Sequence, residues 1–70
     1  NPGINELSFT IEGFDPATLR VELIDVSGKV LFTAHDLSNR VEVANMPAGQ
    51  YFYRILQENR LLGVGAWVKL

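Results

Sequence analysis

His35 and Asp36 are the residues in this 70-residue chain whose types suggest acid–base chemistry, because an imidazole and a carboxylate can exchange protons near neutral pH. Adjacent residues of an extended chain point to opposite faces, however, so these two side chains cannot easily share a proton. Ser8, Ser27 and Ser38 all lack the Gly-x-Ser-x-Gly context of a hydrolase nucleophile. We therefore expect no catalytic residues and no enzyme activity.

Metal and cofactor sites are restricted by the eight acidic residues, the single histidine and the absence of cysteine. The acidic residues do not follow the Asp-x-Asp-x-Asp-Gly spacing of a calcium loop, and one histidine without cysteine cannot form a Cys/His zinc site. Gly63-Val64-Gly65 lacks the third glycine and the following helix of a dinucleotide fingerprint. A carboxylate pair for glycoside hydrolysis would need a sugar cleft, for which so short a chain leaves little room. We expect no metal and no cofactor.

Tyr51, Tyr53 and Trp67 have side chains that can stack on sugar rings or bases, although such residues also serve as core or half-buried sheet surface. The net charge of -2, with scattered basic residues, argues against nucleic-acid binding. No apolar run approaches the roughly 20 residues of a membrane-spanning helix, so we expect no membrane-spanning segment.

Alternating apolar and polar residues predict an all-β chain. Leu7, Phe9 and Ile11 alternate with polar residues, and a second strand from Leu19 is expected to have a bulge or a change of exposure near Ile24. Further strands are predicted over residues 30–33, 41–43, 51–57 and 62–70, with 34–40 as a loop or short edge strand. Six or seven short strands joined by turns indicate a β-sandwich, with a small open barrel as the alternative.

Turn residues mark how these strands connect. Pro47 presets φ and Gly49 can adopt a positive φ, so Met46-Pro47-Ala48-Gly49 predicts a chain reversal into an aromatic strand. Both faces of that strand carry apolar side chains, which predicts a central position. The terminal strand has one neighbour in sequence, so we expect it at a sheet edge, with backbone groups available to another chain.

Four segments together resemble a known family. They are Asn1-Pro2 followed by Leu7, the strand and Gly-Lys turn of residues 23–31, the Pro-x-Gly-x-Tyr segment of residues 46–55, and Val68-Lys69 near the end of the chain. Met46 replaces a commoner leucine, and Leu70 after Lys69 is less usual. In this order and spacing the segments resemble the C-terminal sorting domain of the type IX secretion system of Bacteroidetes.

The resemblance implies a non-catalytic secretion signal with the fold of a small immunoglobulin-like antiparallel β-sandwich of six to seven strands. It implies that residues 1–70 are a single C-terminal domain cut from a larger secreted protein. The implied partners are the type IX translocon, a sortase-like peptidase that removes the domain and anchors the cargo, and the N-terminal cargo domain of the same chain. The implied route runs through the periplasm and the outer membrane to the cell surface or the medium.

Strand addition to the terminal strand is the mechanism of recognition that we expect. The candidate recognition residues are Val68, Lys69 and Leu70. The residues expected to hold the fold that presents them are Gly28, Lys29, Pro47, Gly49 and Tyr51. Two alternatives are an immunoglobulin-like accessory domain that binds carbohydrate through exposed aromatic residues, and a structural module that forms a dimer through its edge strands.

Overall fold

Two antiparallel sheets account for the strands of the computed structural model, which describes residues 6–70. The strands are β1 (Glu6–Leu7), β2 (Arg20–Ile24), β3 (Val30–His35), β4 (Val41–Glu42), β5 (Gly49–Gln57) and β6 (Arg60–Lys69), and a 3-10 helix covers Pro16–Thr18. One sheet pairs β1 with β4, and the other has the order β3-β2-β5-β6. The prediction of an all-β fold with six to seven strands is therefore confirmed, with six strands in the described residues, and the architecture is compatible with a small immunoglobulin-like sandwich.

The core lies between the inner face of the four-stranded sheet and the residues of the second sheet and its loops. Its buried members are Leu19, Val21, Leu23, Leu37, Val41, Val43, Tyr51 and Ile55. Burying aliphatic side chains of this size stabilises a fold by about 1.5–3 kcal/mol each. The four largest fully buried side chains are Val21 and Leu23 of β2, Leu19 directly before β2, and Val43 directly after β4.

β5 is central, as the sequence predicts. Its register places Tyr53 opposite Leu23 of β2 on one side and opposite Gly65 of β6 on the other. The inner side chains Tyr51 and Ile55 are buried, whereas Arg54 points outward and forms an ion pair with Glu22 at 2.6 Å. Between Tyr51 and Ile55 of β5, the more buried and the exposed side chains thus alternate with the two-residue period of the sequence.

Several predicted strand boundaries differ from the structure. β5 begins at Gly49 rather than at residue 51, and β6 covers Arg60–Lys69 rather than residues 62–70. Ladder pairing of the first strand is limited to Glu6–Leu7, although Phe9 and Ile11 still pack against the core. The segment 34–40 is divided between the end of β3 and a turn that buries Leu37, whose backbone NH donates to the Pro16 carbonyl at 2.9 Å. The predicted bulge near Ile24 is confirmed by a register shift between Leu23 and Ile24.

β6 lies at an edge of the four-stranded sheet, and within residues 6–70 β5 is its one paired neighbour. Its inward positions are Gly63, Gly65 and Trp67, which pair with Ile55, Tyr53 and Tyr51. Its outward positions include Val64 and Val68, which are 66% and 56% exposed. Val64 and Val68 therefore face solvent, whereas the two glycines and Trp67 face the core.

Position 65 has no room for a side chain, because the Tyr53 ring of the neighbouring strand occupies the space above it. A Cβ atom at position 65 would overlap the Tyr53 ring, which is packed edge-on against Phe9 with ring centroids 5.0 Å apart. An aromatic side chain that covers a cross-strand glycine compensates for the packing that the glycine itself lacks. At Gly63 the nearest atom to such a Cβ, Cδ1 of Ile11, lies at an ordinary 3.9 Å.

Gly65→Ala is expected to lower the free energy of unfolding by about 1–3 kcal/mol, because the added methyl group forces the Tyr53 ring away from Phe9. Gly63→Ala is the matched control, and its unfolding free energy should stay within about 1 kcal/mol of the wild type. Urea unfolding followed by the fluorescence of Trp67 measures both variants. Equal stabilities for the two variants would contradict the packing role of Gly65.

Candidate recognition surface

The residues that suggest chemistry are engaged in turns or exposed singly. The Asp36 carboxylate accepts hydrogen bonds from the backbone and the hydroxyl of Ser38, at 3.0 and 2.5 Å, so it closes its own turn. His35 is exposed at the end of β3. Among residues 6–70 there is no group of three histidine, cysteine or acidic residues that could hold a metal ion. Nor does the described part of the chain contain a helix with the length and apolarity to cross a membrane.

The three candidate platform residues, Tyr51, Tyr53 and Trp67, turn toward the core and form no exposed platform. Tyr51 is 6% exposed, and its ring stacks on Trp67 with centroids 4.9 Å apart. Tyr53 and Trp67 are partly buried and pack against the core cluster. This arrangement does not favour the carbohydrate-binding alternative, which required exposed rings.

One end of the four-stranded sheet brings together the candidate recognition residues and the residues expected to hold the fold that presents them. Because β2, β5 and β6 are antiparallel neighbours, Ile24 pairs with Phe52, and Gly49 pairs with Lys69. The turn between β2 and β3, the start of β5 and the end of β6 consequently meet at the same end. We call this surface the recognition end, and define it as residues 25–29, 47–51 and 68–70.

The Asp25 side chain organises the first of these segments. Its Oδ1 accepts hydrogen bonds from the Ser27 backbone at 2.9 Å, the Ser27 hydroxyl at 2.6 Å and the Lys29 backbone at 3.0 Å. Gly28 adopts φ +90°, a conformation that side chains other than glycine's disfavour. The turn is thereby fixed from within, and Val26 at its centre is left 73% exposed.

The second segment is fixed by Tyr51. Its hydroxyl donates to the Pro47 carbonyl at 2.5 Å, which connects the turn to the strand that it precedes. Gly49 has φ +151°, and no atom lies within 4 Å of a Cβ added there, so its role is conformational. Stacking of Tyr51 on Trp67 then holds the end of β6 against the start of β5.

The third segment presents the candidate recognition residues differently from one another. Val68 points outward and is 56% exposed, Lys69 is half-buried, and Leu70 lies beyond the strand at 69% exposure. The sequence did not identify the exposed Val26 and Val64 as part of any surface. Val26 could have been identified from the sequence, because an apolar residue at the centre of a predicted turn is expected to be exposed.

Cationic groups are unevenly distributed over the fold. Lys29 and Lys69, the chain's two lysines, both belong to the recognition end. Three of the four arginines are engaged elsewhere: Arg20 donates to the Glu58 carbonyl, Arg40 contacts Glu6, and Arg54 contacts Glu22. Neither lysine forms an ion pair within residues 6–70, so both are available to a partner.

Hydrogen bonds lower the pKa of two exposed turn carboxyls. For Asp25 the main cause is the Ser27 hydroxyl, followed by the Lys29 backbone, and for Asp36 it is the Ser38 hydroxyl. Each bond favours the charged carboxylate. Since these pKa values are depressed in the folded state, their contribution to stability is present above the unfolded pKa and is lost as the pH falls through the folded pKa.

Ser27→Ala is expected to raise the pKa of Asp25 toward its ordinary value, because it removes the strongest donor to that carboxylate. The pKa of Asp36 should not change, which provides an internal control in the same sample. Ser38→Ala should have the reciprocal effect. Carboxyl ¹³C chemical shifts recorded against pH measure both groups, and an unchanged Asp25 pKa in Ser27→Ala would contradict the turn geometry.

Comparison with protein families matches residues 1–64 to the family described as "Secretion system C-terminal sorting domain". No curated protein and no solved structure matches the chain. The matched residues include the first two segments of the recognition end, and residues 68–70 follow the match. With most of its length matched, the chain belongs to the secretion system C-terminal sorting domains, the family of sorting signals of the type IX secretion system.

Proposed function

We propose that this domain is a non-catalytic secretion signal that the type IX translocon reads at the recognition end. Family membership supports a sorting signal carried by a larger cargo chain and export across the outer membrane, to the cell surface or the medium. The observation that carries the location is the meeting of residues 25–29, 47–51 and 68–70 at one end of the sheet.

Within this proposal, the side chains divide into those that touch the translocon and those that hold the surface. Val68, Lys69 and Leu70 make the contacts, since Val68 and Leu70 are well exposed and Lys69 has no carboxylate partner within the described residues. The turn residues Gly28 and Lys29 and the segment of Pro47, Gly49 and Tyr51 fix the position of that strand end. Lys29 adds an exposed cation to the same surface.

The chemistry of this end predicts the complementary surface. Two lysine ammonium groups and the exposed apolar side chains of Val26, Val68 and Leu70 lie on it. A translocon component that binds here should present an apolar contact flanked by carboxylates, because unlike charges steer association and the desolvated apolar residues stabilise the complex. In this proposal, a sortase-like peptidase then removes the domain and anchors the cargo.

A periplasmically targeted fluorescent reporter fused to residues 1–70 is expected to be exported by a bacterium with an active type IX system. The same fusion without Lys69 and Leu70 should remain in the periplasm, because the strand end that the translocon contacts is missing. Lys29→Gln combined with Lys69→Gln should reduce export by roughly 2- to 30-fold, since exposed ion pairs contribute about 0.2–1 kcal/mol each. Reporter fluorescence in the medium and at the surface, against that in the periplasm, measures export.

Arg60→Gln is the matched control, because Arg60 is an exposed cation at the opposite end of β6 and forms no ion pair within residues 6–70. Its export should equal that of the wild type. Periplasmic retention of the folded wild-type fusion would refute the sorting function in that host. Export of the truncated fusion at the wild-type level would refute recognition at the end of β6.

A further inference from the structure

The outer face of the four-stranded sheet carries an apolar surface next to the recognition end. Ile24, Phe52 and Ala66 are directly paired across β2, β5 and β6, and Val64 and Val68 lie on either side of Ala66. The two valines are 66% and 56% exposed, and Phe52 is 37% exposed. Solvent-facing sides of antiparallel sheets ordinarily carry polar residues, so a contiguous apolar surface indicates an interaction site.

The backbone edge beside this surface lacks the usual protection against pairing. Between Arg60 and Lys69, β6 contains eight uncharged residues and no proline. Natural edge strands carry charged side chains, prolines or bulges that prevent strand addition. The register shift in β6 falls near Leu62, close to the hairpin loop, so residues 63–68 form a regular stretch about 20 Å long.

We propose that the translocon component contributes an extended strand that pairs with residues 63–68 of β6 and continues the sheet. This inference rests on the proposed function and specifies the chemistry of the partner. A helix or flat surface laid on the outer face would cover Val64 and Val68 but would leave the backbone edge unpaired. An added strand satisfies the edge and extends the apolar surface with its own outward side chains.

Charge and side-chain size define the added strand further. Its outward residues beside Val64 and Val68 are apolar, because cross-strand neighbours lie about 4.5–5.5 Å apart and exclude water from each other. Ala66 leaves room for a large outward side chain on the partner. An acidic residue of the partner lies near Lys69, which has no carboxylate partner within the described residues. Discrimination thus comes from Val64, Ala66 and Val68 as well as from the end of the chain.

The test is Val64→Lys in the exported reporter fusion, with Leu61→Lys as the matched control. Both residues are exposed aliphatic side chains of β6, at 66% and 54%, but Leu61 precedes residues 63–68. Val64→Lys should reduce export at least tenfold, because a lysine is placed against the apolar side of the added strand, whereas Leu61→Lys should stay within twofold of the wild type. Unfolding followed by Trp67 fluorescence establishes that both variants are folded.

The outcomes separate this inference from the proposed function. Export of the wild type and of Val64→Lys at equal levels would overturn the added strand while the sorting function stands, whereas retention of the folded wild type would refute both. Val64→Asp should reduce export as strongly as Val64→Lys, and loss with one sign of charge alone would overturn the apolar contact. Sedimentation of the purified domain at about 100 µM should give a monomer, and a dimer that Val64→Lys dissociates would assign this surface to a second copy of the chain.

Discussion

The packing of β5 side chains over the inner face of β6 is the constraint on which the other features of this domain depend. Tyr53 covers Gly65, and Tyr51 stacks on Trp67, so each large side chain of one strand meets a small or flat partner on the other. This arrangement fixes which face of β6 is buried. It also fixes the register that brings Lys69 beside Gly49.

The recognition end is a consequence of that register. Strands joined in antiparallel order bring turns that are distant in sequence to the same end of a sheet, and here they bring together segments separated by about 20 residues. Two of the three segments are also held locally, by the hydrogen bonds of Asp25 in one turn and of Tyr51 in the next. The surface therefore depends on few long-range contacts beyond the β2-β5-β6 ladder. A signal that must be presented in one geometry benefits from such local fixation.

Much of this arrangement could be predicted from the sequence, because alternation and turn chemistry are local properties. The central aromatic strand and the bulge near Ile24 followed from period and composition, and the edge position of the last strand followed from its single neighbour in sequence. The buried face of β6 could not be predicted in the same way. Alternation defines two faces, but the apolar face of β6 is the exposed one, because the inner volume is already filled by the rings of Tyr53 and Tyr51. The meeting of three motifs at one end likewise required the strand order.

Because β6 is paired with β5 on one side only within residues 6–70, it is also a strand at which the sheet can open locally. The tight loop between Gln57 and Arg60 closes one end of the β5-β6 ladder, whereas the Gly49–Lys69 pair closes the other without a covalent connection. Local opening of an edge strand has a lower free energy than unfolding of the core, so β6 can fray from Lys69 toward the loop while β2 and β5 remain paired. The residues that a partner would meet first are then those that can change conformation at the least cost to the rest of the sheet.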